Sequence, residues 1–181
     1  CKGNYSLVCD AGANTDCKAE YLVQFARLGA LYMKEVMQIE NPRIALMNIG
    51  EEPGKGNAVA QQAFQLLSAD SHIHFIGNAE GRSLNHHFAD VYVCDGFVGN
   101  IILKFGESFY DLFKQKLPDD PEVEAFNFEN YGGVPFLGVK GNVIIGHGIS
   151  GPKAIKNMLL TGERVVLSRL TEKIEELFAN S

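Results

Sequence analysis

The order of residue patterns along the chain constrains the fold more than any other feature of the sequence. A short apolar run, a turn rich in glycine and asparagine, and a segment with helical periodicity follow one another repeatedly. Such alternation indicates strands that pair in parallel through right-handed crossovers. The apolar runs cover residues 5–10, 43–49, 73–76, 90–94 and 143–145. The sequence therefore predicts a three-layer α/β fold, a mostly parallel sheet with helices on both faces.

The glycine-rich turns follow the predicted strands directly, so they fall at the carboxyl ends of the strands. Ligands of open α/β sheets bind at that edge. We therefore expect all five turns, the last of them at residues 146–151, to converge on one cleft. Helical patterns occupy residues 20–38, 58–67 and 101–112, and a last helix is predicted from Lys153 almost to Phe178.

The turn Gly50-Glu51-Glu52-Pro53-Gly54-Lys55-Gly56-Asn57 has the composition of an anion site. Glycine lets the backbone approach an oxyanion, the first N–H groups of the following helix point at it, and Lys55 adds a positive charge. The turn is one residue too short for the nucleotide motif G-x-x-x-x-G-K, and no Ser or Thr follows Lys55 to hold magnesium. Free or small phosphate is therefore preferred over ATP.

Composition narrows the class of protein further. The chain has 181 residues, of which 46% are hydrophobic and 21% charged, enough to bury a core in a single α/β unit. A formal net charge of −6 argues against a nucleic-acid partner. No apolar stretch reaches the roughly 18 residues needed to cross a bilayer, and the first residues lack a signal-peptide pattern, so a cytoplasmic location is predicted.

No metal or cofactor is predicted. The cysteines, Cys1, Cys9, Cys17 and Cys94, show no C-x-x-C spacing and are interpreted as reduced and structural. No H-E-x-x-H motif or clustered carboxylate set appears either. Glu51 and Glu52 could hold magnesium, but carboxylates at a helix start or pairing with Lys55 explain them more simply.

A set of ordered motifs closely resembles the PlsX family, the bacterial acyl-carrier-protein:phosphate acyltransferases. The resemblance covers essentially the whole chain. It is carried by Asp10-Ala11-Gly12-Ala13-Asn14, Asn48-Ile49-Gly50-Glu51-Glu52, Gly54-Lys55-Gly56-Asn57, Phe75-Ile76-Gly77-Asn78, Glu80-Gly81-Arg82, Cys94-Asp95-Gly96-Phe97, Gly99-Asn100, Tyr131-Gly132-Gly133 and His147-Gly148.

The resemblance implies transfer of a fatty acyl group from acyl carrier protein to inorganic phosphate, which gives acyl phosphate for phospholipid synthesis. It also implies a homodimer and a fold related to the isocitrate and isopropylmalate dehydrogenases. Family members associate with membranes peripherally, in some cases through a hairpin after the fourth helix. Here that segment is short and rich in Asp and Glu, which weakens this part of the resemblance.

The implied chemistry assigns candidate roles to the residues of the turns. Phosphate attacks a thioester, so the site must bind a dianion, stabilise an oxyanion and release a thiolate. Lys55 with Gly54, Gly56 and Asn57 is the predicted phosphate site. Arg82 is a second cation that could equally pair with Glu80 or Glu51. The oxyanion or substrate candidates are Asn14, Asn78, Gly99 and Asn100, although asparagine also serves turn geometry alone.

His147 is the other catalytic candidate besides Lys55. It stands between two glycines at a predicted strand end, where it could protonate the departing thiolate or donate to phosphate. A purely structural role is the alternative for such a loop histidine.

Length is the main departure from the family, whose members carry a further N-terminal half. The chain is therefore predicted to be the C-terminal portion of the enzyme, and an isolated portion of this kind could be inactive. Two alternatives remain: a related acyltransferase subunit that forms acetyl phosphate, or a non-catalytic module that binds acyl carrier protein or membrane.

Overall fold

The computed structural model of the chain describes residues 5–179. Its contacts divide the chain into two compact units, Cys1–Ile101 and Ile102–Ser181, which we describe separately. The single α/β unit expected for residues 1–181 stays a prediction.

The first unit is built on a four-stranded sheet. Its strands are β1 (Leu7–Cys9), β2 (Arg43–Met47), β3 (His74–Ala79) and β4 (Val91–Val93). They lie in the order β1-β4-β2-β3, and every pair of neighbours is parallel. The chain moves outward from β1 to β3 and then returns to place β4 between β1 and β2. Such a reversal of strand order is the feature of open α/β sheets at which ligand crevices form.

Two helices cover one face of this sheet, α1 (Ala19–Glu35) and α2 (Ala58–Ala69). They pack against each other, and α1 lies so close to the strands that a Cβ at Gly29 would be 2.7 Å from a methyl carbon of Val91. On the other face, Tyr92 and Ala45 pack with Leu84 from a 3₁₀ helix at Gly81–His86. The predicted α/β class, with helical layers on both faces of a parallel sheet, is confirmed.

The second unit begins within α3 (Gly96–Lys114) and departs from the sequence-based expectation. It contains α4 (Pro121–Glu124), a 3₁₀ helix at Phe128–Asn130, β5 (Gly133–Pro135), β6 (Ile144–Gly146), α5 (Pro152–Leu167) and α6 (Leu170–Ala179). The fifth predicted strand was expected in the parallel sheet, and this prediction is wrong. It forms β6, which pairs antiparallel with β5 in a sheet of its own.

The last predicted helix is also interrupted. Ser168 caps α5, and Arg169 takes a left-handed conformation with φ 55°, so α5 ends there and α6 starts at Leu170. A non-glycine residue with positive φ ends helical hydrogen bonding, which explains the break.

Three phenylalanines of α3, Phe105, Phe109 and Phe113, contact one another in the second unit. Phe109 meets Phe105 edge to face at 4.8 Å between ring centroids and stacks on Phe113 at 6.0 Å, and it also meets Phe126 at 6.0 Å. The segment after α3 therefore folds back onto that helix. Among residues 5–179, no helix is both long and apolar enough to cross a membrane.

Candidate functional site

The turn between β2 and α2 is held in a fixed shape by its own backbone. The N–H group of Lys55 donates to the carbonyl of Glu52 at 3.1 Å. Gly56 has φ +90°, and a Cβ at this position would overlap Oδ1 of Asn48 and lie 2.8 Å from Cβ of Ala60. Only glycine fits both the conformation and the space. The predicted need for glycine in this turn thus has a geometric cause at Gly56.

Two asparagines tie this turn to the sheet. Asn48 donates through Nδ2 to the carbonyl of Lys55 and to Oδ1 of Asn78, both at 3.1 Å. Asn78 in turn donates to the carbonyl of Glu52 at 2.8 Å and is only 3% exposed. Asn78 therefore helps to hold the turn at residues 50–57 in place; its role as an oxyanion donor stays a prediction.

The start of α2 leaves Lys55 open to solvent. Asn57 caps the helix, since its Oδ1 accepts the N–H of Ala60 at 2.9 Å. Gln61 donates to the carbonyls of Gly54 and Gly56 at 2.9 and 3.1 Å, so both oxygens have a donor within the turn. Lys55 itself is exposed, as are Gly54 and Asn57. The predicted phosphate residues thus lie together, with a positive charge at a helix N-terminus.

Arg82 is paired with carboxylates. This pairing is one of the two roles that the sequence predicts for it. Its Nε lies 2.9 Å from Glu80 and its Nη2 lies 3.6 Å from Glu51. Glu51, Glu52, Glu80 and Arg82 line one shallow depression. Binding of phosphate by Arg82 would require this guanidinium to exchange a carboxylate for the ligand. The role of Arg82 as a second phosphate cation stays a prediction.

The loop after β1 is organised around the carboxylate of Asp10. Its oxygens accept the backbone N–H groups of Ala11, Gly12, Ala13 and Asn14, the last at 2.6 Å, and also the side-chain amide of Asn14 at 2.9 Å. Successive N–H groups that converge in this way form a nest for an anion. Here the anion is a side chain of the loop itself.

The start of α3 packs into this loop and brings three predicted residues together. The N–H of Gly96 donates to the carbonyl of Asn14 at 2.7 Å. Gly99 is buried against Asp10, and the exposed Asn100 lies over Gly12, where an added Cβ would be 3.6 Å from Asn100 Oδ1. Asn14, Gly99 and Asn100 are therefore neighbours at the carboxyl ends of β1 and β4.

The cysteines of this region are protonated thiols and therefore poor nucleophiles. Burial, assisted by the charge of Asp10, raises the pKa of Cys9 to about 12. Burial likewise raises the pKa of Cys94, with Asp95 adding to the effect. Cys9, Cys17 and Cys94 are unpaired, and Cys1 lies outside the described residues. A thiol with a raised pKa forms little thiolate at neutral pH.

His147 belongs to the second unit, in the turn after β6. Its imidazole packs on the ring of Phe128, with centroids 4.6 Å apart, and its Nε2 lies 3.6 Å from Glu107 Oε2 and 3.4 Å from Nζ of Lys104. No group of three or more His, Cys, Asp or Glu side chains within residues 5–179 is arranged to hold a metal ion.

Sequence reasoning missed three residues of these sites. Lys104 and Glu107 stand one helical turn apart on α3, a spacing common on solvated helices, so nothing set them apart. Asp10 was part of a recognised motif but was not considered as the acceptor for the loop. Its position before a small-residue turn, where Asp often binds its own backbone, was the available signal.

Taken together, the fold and these turns define a parallel α/β protein with a candidate anion site at the start of α2. The chain belongs to the family described as fatty acid synthesis protein, whose model matches residues 1–121.

The chain is also similar to proteins named phosphate acyltransferase. It is 40% identical to that of Salinibacter ruber over 97% of its length, 45% identical to that of Dictyoglomus thermophilum over 94%, and 43% identical to that of Campylobacter lari over 97%. The aligned part covers 58%, 56% and 58% of these relatives. The chain thus spans less than two thirds of the relatives it matches.

Proposed function

We propose that this chain carries the phosphate-binding part of an enzyme that transfers a fatty acyl group from acyl carrier protein to inorganic phosphate. The product would be an acyl phosphate for phospholipid synthesis. The observation that carries the proposal is the turn at residues 50–57, where Lys55 stands exposed at the start of α2 on a backbone fixed by Asn48 and Asn78. The name shared by the relatives supports the same activity.

The reaction needs no covalent nucleophile from the protein. A phosphate oxygen attacks the thioester carbonyl, the tetrahedral oxyanion collapses, and the thiolate of the carrier departs and takes a proton. Lys55 and the N–H groups at the start of α2 would hold phosphate and lower the cost of bringing a dianion to the carbonyl. His147 is the candidate proton donor to the thiolate.

The partners and the assembly follow from the family resemblance and are part of the proposal. They are acyl carrier protein, inorganic phosphate and a second copy in a homodimer, in the cytoplasm or at the inner face of the membrane.

Hydroxylamine trapping tests the activity. Acyl-acyl-carrier-protein and phosphate are supplied, and any acyl phosphate is captured as the hydroxamate. The assay is run on this chain alone and on the chain joined to the amino-terminal portion of the Dictyoglomus thermophilum relative. Hydroxamate that depends on phosphate supports the proposal, and its absence from both proteins overturns it. Preference for acetyl over long-chain donors would instead indicate an acetyl-phosphate-forming subunit.

A further inference from the structure

One carboxylate in the second unit faces two basic side chains. Nζ of Lys104 lies 2.8 Å from Glu107 Oε2 and 3.0 Å from Oε1, and Nε2 of His147 lies 3.6 Å from the same Oε2. Lys104 and His147 are themselves 3.4 Å apart. Two nitrogens from distant parts of the sequence thus converge on one anionic oxygen.

The contact of Nδ1 in the turn favours a proton on Nε2 of His147. Nδ1 lies 3.4 Å from the backbone nitrogen of Ile149, whose N–H can only donate, so Nδ1 accepts. In the neutral ring the proton is then on Nε2, on the side of Glu107. Ser150 secures the turn, because its N–H and its hydroxyl both donate to the carbonyl of His147, at 3.0 and 2.7 Å.

In that tautomer, or with the ring protonated, His147 donates through Nε2 toward the same point as Lys104. An ammonium group and an imidazole N–H directed at one place form the kind of pair that binds phosphate oxygens and stabilises oxyanions. The side chains of Lys104, Glu107 and His147 are 54%, 33% and 29% exposed, so a solute can reach them from water.

We propose that Lys104 and His147 form an oxyanion site in the second unit, and that Glu107 occupies it until a phosphate-type anion displaces the carboxylate. The role of this site in acyl transfer rests on the proposed function, whereas binding of the anion does not. Lys104 thereby joins His147 as a ligand-contacting residue, and Glu107 competes with the ligand.

Phosphate titration of the chain labelled with ¹⁵N at histidine tests this directly. NMR follows the ring nitrogens of His147, assigned with His147→Asn, while inorganic phosphate replaces chloride at constant ionic strength. We expect the His147 signals to move saturably. Lys104→Ala should weaken the apparent affinity about tenfold, since it removes a charged donor. Glu107→Gln should strengthen it several-fold, because the internal competitor loses its charge.

Two matched variants control for general charge effects. Lys140→Ala removes an exposed lysine between β5 and β6, and Glu172→Gln removes the acid of another i,i+3 pair, in which Arg169 lies 3.8 Å away. Both should leave the titration unchanged.

Two results would overturn the proposal: His147 signals that phosphate does not move, or an affinity that Glu107→Gln leaves equal or weaker. The outcome is separable from that of the acyltransferase assay. Hydroxamate formation without a response at His147 removes only this site, and a response without hydroxamate removes only the proposed activity.

Discussion

Gly99 lies directly against the carbonyl group of Asp10. A Cβ at Gly99 would overlap the carbonyl oxygen of Asp10 and come within 2.9 Å of its carbonyl carbon. Gly96, one turn earlier in α3, is confined in the same way, since a Cβ there would be 2.9 Å from backbone atoms of Asn14. The absence of side chains at these two positions lets the first turn of α3 touch the loop after β1.

Gly99→Ala should destabilise the protein by about 1–3 kcal/mol, because the methyl group can be accommodated only by moving backbone. Denaturant unfolding followed by circular dichroism measures the change. Gly106→Ala is the control in the same helix, where the nearest atom would be Phe126 Cδ1 at 4.0 Å. It should stabilise by about 0.5–1 kcal/mol, as alanine does in a helix interior. Equal stability of Gly99→Ala and the parent would contradict the contact.

Lys55→Ala should reduce phosphate-dependent hydroxamate formation about a hundredfold without altering the fold. The side chain is exposed, so its loss removes a charge from the candidate anion site and little packing. The assay is made on whichever form, the chain alone or the joined protein, yields hydroxamate, and circular dichroism checks the fold. Lys140→Ala serves as the control. Unchanged turnover in Lys55→Ala would overturn the assignment of phosphate binding to Lys55.

Stability should fall as the pH drops below about 4, in part through Asp90. Burial by itself would raise the pKa of this carboxyl, but hydrogen bonds from the side chain and backbone of Arg43 outweigh it and hold the pKa below its usual value. A carboxyl with a lowered folded-state pKa stabilises above its unfolded pKa, and that contribution is lost as pH falls through the folded value.

Asp90→Asn should therefore cost about 1–3 kcal/mol at pH 7 and make stability less dependent on pH in the acidic range. Urea unfolding at neutral and acidic pH measures both effects. Asp119→Asn, at an exposed position, is the control and should change neither. A variant of Asp90 that keeps the acid dependence of the parent would show that other carboxyls account for it.

Cys9 and Cys94 should resist alkylation in the folded protein. Burial raises the pKa of both thiols and limits access to them. Burial also raises the pKa of Cys17, although this residue is partly exposed. Iodoacetamide treatment followed by peptide mass spectrometry should therefore label Cys17 before Cys9 and Cys94, and denaturant should make the three alike. Early labelling of Cys94 in the native protein would contradict its placement.

The sequence predicted the first unit better than the second for a physical reason. Strands β1 to β4 are each followed by a local turn signal, and parallel pairing follows from the alternation with helices. The partner of β6 is Gly133–Pro135, three residues that include a glycine and a proline and show no strand periodicity. The end of α5 at Ser168 and Arg169 lacks glycine and proline, so no local signal marks it.

The candidate sites likewise differ in how much of each could be predicted from the sequence. The turn around Lys55 could be predicted because all its residues are consecutive. For Arg82, pairing with the nearby Glu80 was one of the two roles predicted, the other being phosphate binding. The contact between Lys104 and His147 joins residues 43 positions apart. Only the packing of the second unit brings them together, and no sequence pattern records it.

The loop around Asp10 is ordered before any ligand binds. Because one carboxylate holds the N–H groups of four successive residues, the loop around Asn14 keeps its shape in the free protein. If a substrate contacts Asn14 or Asn100, its binding does not have to offset the entropic cost of ordering that backbone. The loop is in this sense preorganised, because its backbone is ordered when the chain folds.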